Sequence, residues 1–230
     1  MIKNIFSNKE LPKTFLIFYS VGFLLFAIPF SRPLFTALTP LSLLFVTLLV
    51  LWHHKRVDLN FIIFSLIVVI SSFFIEVAGV KSGKLFGEYT YLKTLGPGIL
   101  ETPFVIGVNW LMLTYCSAAA VDYLTKKRSS SIKIIPRILA GTALMVAYDL
   151  VVELIAPFMG MWQFKTEYPP IENFIMWIAI SLTYHILLNL LKIKPSGKPA
   201  ATLFLSQILF FLLVYTVFLI ESYLIPSLKM

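Results

Sequence analysis

Asp149 and Glu153 stand four residues apart in the run Asp-Leu-Val-Val-Glu, and Glu76 lies in a second, equally apolar stretch. On a helix, an i, i+4 spacing stacks both acids of the pair on one face. Two carboxyls that close in a low dielectric cannot easily both ionise, so at least one holds its proton near neutral pH. A neutral carboxylic acid kept so by burial is a proton donor for a weakly basic centre. Acids inside a bilayer cost a few kcal/mol each on insertion scales, so they mark a pathway or a reaction site.

The elements that must position these acids read as membrane spans. Apolar residues make up 59% of the 230, only 13% are charged, and mean hydropathy is +0.89. Soluble domains carry roughly twice that charge, so the solvent is lipid. The length suits about seven helices of roughly 20 residues, expected at 14–30, 34–52, 59–80, 103–124, 134–158, 172–191 and 200–224. The fold class is an all-α polytopic membrane bundle forming one domain over residues 1–230. Pro29, Arg32 and Pro33 mark one reversal, His53-His54-Lys55-Arg56 another, and Lys126-Lys127-Arg128 with three serines a third. The net charge of +8 does not point to nucleic acid, because the basic residues sit in short loops between apolar runs. The lone Cys116 excludes an intrachain disulfide framework and reads as a small buried residue.

Thirteen Lys and Arg fall on the side of the N-terminus and six on the other, which orients the N-terminus to the cytoplasm and the C-terminus outside a cell (inner) membrane. Two connections on the outer side differ from the plain basic turns. Residues 81–98 and 160–170 mix Gly and Pro with aromatics, a composition that fixes backbone shape while its rings seek an apolar place to pack. They are expected to fold back as a lid, with Phe86, Tyr89, Tyr91 and Trp162 aimed at the acids. Helix rise puts Asp149 and Glu153 about 22 and 28 Å along their helix, in the outer half with Glu76.

Glu101, Asn109 and Trp110 open the fourth helix on the same side, and Asn173 and Trp177 open the sixth. Each also has a plainer reading. Glu76 alone could pair helices, and Glu101 beside Thr102-Pro103 is a helix-start acid favoured by the dipole. The Trp residues suit an interfacial belt, and Asn109 and Asn173 suit interhelical hydrogen bonding. His185 and Asn189 share a face towards the inner half and read as packing, while Glu221 reaches the interface. Three histidines, two of them in a charged loop, do not furnish a di-iron site. No phosphate-binding Gly-x-x-x-x-Gly-Lys loop is present, and a Mg²⁺-diphosphate site would need a second acidic cluster.

Two blocks carry a family resemblance. The first runs from Glu76 through Phe86, Tyr89 and Tyr91 to Leu95-Gly-Pro-Gly, Pro103 and Asn109-Trp110. The second joins Asp149-x-x-x-Glu153 to Trp162, Tyr168, Pro170, Asn173-Phe174 and Trp177. Together they resemble the carotenoid 1,2-hydratase family, membrane enzymes that hydrate the acyclic ends of carotenoids. The sequence departs from the pattern in carrying its proline at Pro157 rather than next to Glu153, and Tyr168-Pro-Pro-Ile in place of a glycine-bearing turn.

The resemblance implies a C₄₀ polyene and water as partners, lipid as surroundings, and no metal or other cofactor. Proton delivery to C2 of the terminal alkene would leave a tertiary cation at C1 for water to capture, with Asp149 and Glu153 supplying the proton and Glu76 orienting water or sharing the relay. Phe86, Tyr89, Tyr91, Glu101, Asn109, Trp110, Trp162, Asn173 and Trp177 would contact substrate, aromatic faces steadying the cation. Membrane lycopene cyclases, which let an internal alkene capture the same cation, remain an alternative. So does a proton-coupled transporter, although neither inverted repeats nor broken helices are evident.

Overall fold

A computed structural model of the chain describes residue 7 and residues 9–126, 133–166 and 168–223; part of the basic turn expected at 126–131, from 127 on, lies outside these, as do Lys3 and Lys229. Seven helices form among the described residues: α1 (Leu11–Ala27), α2 (Arg32–Trp52), α3 (Leu59–Ser82), α4 (Val105–Lys126), α5 (Ile134–Glu153), α6 (Ile171–Leu190) and α7 (Gly197–Tyr223). Six are long and apolar enough to cross a membrane, and α1, at 17 residues, is the shorter seventh. Their boundaries have local causes. Pro12 and Pro33 sit in the first turns of α1 and α2, where a missing N–H costs nothing. Asp58 caps α3 by accepting from the Phe61 N–H at 3.0 Å, and Gly83, at φ +62°, ends that helix in the left-handed region.

Successive helices reverse direction. At one end Arg32 meets Glu221 through two hydrogen bonds of 3.1 and 2.6 Å, beneath which lie the rings of Phe26 and Phe158. Glu221 therefore has a built partner there. At the other end His54 and the Ser196 N–H both meet the Tyr115 hydroxyl at 2.8 Å. Helix α4 is the central element: its middle turns, from Leu111 to Val121, are buried throughout, Cys116 included. Where α4 passes α3, a Cβ on Gly107 would run into the Val69 carbonyl, so the small residue lets the two backbones touch.

The two irregular connections meet as a lid. Strand β1 (Tyr89–Tyr91) pairs antiparallel with β4 (Trp162–Phe164), with Tyr89 opposite Phe164 and Tyr91 opposite Trp162. Period-two alternation puts these four rings on the inward face, while Thr90 and Gln163 are exposed. A second ribbon, β2 (Gly98–Ile99) with β3 (Thr102–Pro103), turns through Leu100 and Glu101 at φ +54° and +64°. Pro103, expected to start the fourth span, belongs with Thr102 to this ribbon, and α4 begins only at Val105.

The fifth span departs most from its expected end. Helix α5 stops at Glu153 rather than near 158. Continuing it would require Pro157 to donate to the Glu153 carbonyl, and proline has no N–H and clashes with that carbonyl. The chain instead coils through turns at 154–160 and reverses at Gly160, φ +67°. Glu153 thus occupies a helix terminus, and the reversed chain brings Trp162 back to it.

Candidate active site

The carboxyls that the sequence separates by more than seventy residues share one cavity of about 500 Å³ under the lid. Glu76, on α3, is the most elaborately held. Its Oε2 accepts from the hydroxyls of Tyr89 at 2.6 Å and Tyr91 at 2.8 Å, and its Oε1 accepts from Trp110 Nε1 at 2.9 Å. Burial and the neighbouring Glu76 carboxyl push both lid tyrosines above the usual phenol range, so they remain protonated donors. Three convergent donors suit an acceptor-only carboxylate and leave little freedom for its side chain.

The α5 pair is held differently. Asn173 Nδ2, one turn into α6, donates to Asp149 Oδ2 at 3.1 Å and lies 3.3 Å from Glu153 Oε1. Trp162 Nε1 donates to Glu153 Oε2 at 3.0 Å. Asp149 is 1% exposed, and its second oxygen, Oδ1, has no partner among the described residues. The i, i+4 stacking thus does bring the acids to one amide, while Glu76 faces them across the cavity with its own donors.

Aromatic faces fill the intervening walls. Trp110 stacks on Trp177 with centroids 4.2 Å apart, and Tyr91 meets Trp162 edge to face at 6.3 Å. Phe86, 2% exposed, backs Tyr89, and a Cβ on Gly79 would press into the Phe86 ring, so α3 must be bare there for the lid to seat. Asn109 lines the cavity, its Oδ1 without a partner among the described residues. Of the residues expected to carry the reaction or contact substrate, Glu101 alone is not brought in. It occupies the exposed tip of the β2–β3 ribbon, in the two-residue turn between the paired strands. His185 and Asn189 lie at the far end, where His185 meets Ser117 and Asn189 bridges to Arg137.

Sequence reasoning missed the other half of the cavity. Helices α1, α2 and α7 contribute Phe18, Phe35, Phe210 and Phe211, residues with no pattern to distinguish them from any apolar span. Gln207 is the exception, since a lone amide inside α7 is a readable signal. It is fully buried in the cavity wall, touches Met112 Sδ at 3.7 Å and leaves Oε1 without a partner among the described residues. Among the described residues no three His, Cys, Asp or Glu side chains are grouped to hold a metal ion.

An apolar helical bundle enclosing buried carboxyls and aromatic walls has the architecture of a polytopic membrane protein with an internal, largely apolar cavity. Residues 38–228 match the family described as carotenoid biosynthesis protein, and the chain belongs to that family. It is also similar to a bisanhydrobacterioruberin hydratase of Haloarcula japonica, at 31% identity over 111 residues. That alignment covers 46% of this chain, which spans 37% of the relative's length. No solved structure matches.

Proposed function

We propose that the protein is a cofactor-independent carotenoid hydratase that adds water across the terminal C1,C2 double bond of an acyclic end group. The observation that carries this reading is the acid pair, with Asn173 donating to Asp149 and lying beside Glu153, at one end of an apolar, aromatic-walled cavity. The pair delivers a proton to C2, and the electron pair of the alkene forms the new C–H bond. The tertiary cation left at C1 is flanked by the Trp110–Trp177 stack and by Tyr91 and Trp162, whose ring faces favour positive charge without reacting with it. Water attacks C1, and the proton shed from the resulting oxonium returns to the carboxylate just formed. Glu76, immobilised by its three donors, orients the water and sets negative charge opposite the cation.

Buried polar atoms without a partner among the described residues, Asn109 Oδ1 and Asp149 Oδ1, favour hydration over cyclisation, because such atoms need partners and water is one. In cells accumulating lycopene, expression of the chain is expected to yield pigment heavier by one water per modified end. An unchanged mass with an altered spectrum would instead assign cyclisation, and unaltered pigment would remove both.

We also propose that the end bearing the N-terminus faces the cytoplasm, so that the lid lies on the outer side of the cell membrane. The loop charge bias supports it. Reporter fusions at the two termini are expected to read opposite sides, N-terminus inside; the reverse orientation, or both on one side, would overturn the assignment.

A further inference from the structure

The cavity has one open flank. Its lining residues from α3 to α7 and the lid are buried or half-buried, whereas the exposed ones all belong to α1 and α2. Ile17 and Val21 on α1 are 54% and 50% exposed, and Leu38 and Phe45 on α2 are 39% and 44% exposed. These four lie roughly 9–20 Å along their helices at 1.5 Å per residue, so the opening faces hydrocarbon rather than either aqueous side. Gly22 stands at the gap, where an added Cβ would reach only Phe35 at 3.6 Å and Phe210 at 3.8 Å.

We propose that the gap between α1 and α2 is a side entrance through which a long acyclic polyene slides end-first out of the bilayer, its unreacted remainder staying in the gap and in lipid. The identity of this occupant rests on the hydratase reading. A conjugated chain is stiff and cannot coil into a compact cavity, and the acids sit at the closed, lid end, opposite the open flank. The groups that hold the acids belong to the lid, α4 and α6, none to the open α1–α2 wall, so a chain end reaches the acids while the rest trails outward between Val21 and Leu38. The protein accordingly reads the end group and a short adjoining stretch, not the total length or the far end. A substrate with two reactive ends is released after the first reaction and returns for the second.

The test plugs the gap from either wall. Gly22→Trp fills it from α1, and Leu38→Trp does so from α2 by enlarging a side chain already part exposed, so its folding does not depend on repacking at Gly22. Leu24→Trp and Leu41→Trp place the same ring at positions 57% and 63% exposed that do not line the cavity. From cells accumulating lycopene, both plug variants are expected to purify as monodisperse protein with at least tenfold less bound lycopene and tenfold less conversion than the two controls. Plug variants that bind and convert like the controls would overturn the entrance while leaving the hydratase reading intact. If wild-type protein binds lycopene without converting it, the hydratase reading fails, and the bound pigment still tests the entrance.

Discussion

Asp149→Asn is expected to lower lycopene hydration by about 10²–10⁴-fold, the usual worth of a general acid, with protein reaching the membrane in normal amounts. The substitution keeps the one side-chain hydrogen bond that Asp149 accepts among the described residues. The new amide oxygen can accept from Asn173 as Asp149 Oδ2 does, and the amide nitrogen takes the position of Oδ1, which has no partner to lose. What disappears is the transferable proton. Glu153→Gln is expected to cause a similar loss of hydration, with an added structural cost. Glu153 faces two N–H groups, accepting from Trp162 on Oε2 and lying beside Asn173 on Oε1, and a glutamine must turn its own NH₂ towards one of them. A buried donor left unpaired costs about 1–3 kcal/mol, so this variant should also melt earlier. Pigment quantified against protein level separates the two effects. Asp149→Asn protein that forms product at the wild-type rate would remove the acid pair from the reaction.

Glu76→Gln is expected to reduce hydration by about 10²–10³-fold, the scale seen when one preorganised electrostatic group is removed. Here the hydrogen-bond network can survive. The glutamine carbonyl can face Trp110 Nε1, and its NH₂ can face Tyr89 and Tyr91, whose hydroxyls rotate to accept. The charge is gone while the cage remains, so a fall in rate with unaltered pigment binding reports on charge. Glu76→Leu instead strands three donors and should fail chiefly by losing folded protein. Wild-type turnover by Glu76→Gln would reduce Glu76 to an anchor for the lid.

Much of this molecule is legible in the linear chain. Lipid as solvent, six long apolar helices and a shorter first one follow from composition and from the spacing of Pro, Gly and basic turns. The i, i+4 acids could be assigned to one face because helix periodicity is a local property, independent of what packs outside it. Even the lid's inward residues could be named, since rings flanked by Gly and Pro must find apolar cover. The early stop of α5 was readable as well, Pro157 lying four residues beyond Glu153, although that rule had to be weighed against an apolar run that continues to Phe158.

Other features were decided only in three dimensions. Pairing of β1 with β4 joins loops some seventy residues apart, and nothing local distinguishes Tyr91 opposite Trp162 from a register shifted by two. Glu101 and Asn109 are equally polar residues near the start of one helix, yet a two-residue turn sends the first to solvent while the second lines the cavity. The open flank at α1 and α2 has no sequence signature at all, because Val21 facing a cavity mouth and Leu24 facing lipid are both apolar residues on one helix. Hydrophobicity determined that these helices would enter the membrane; which of their apolar faces lines a cavity depends on close packing against particular neighbours, and that information exists only once the bundle has assembled.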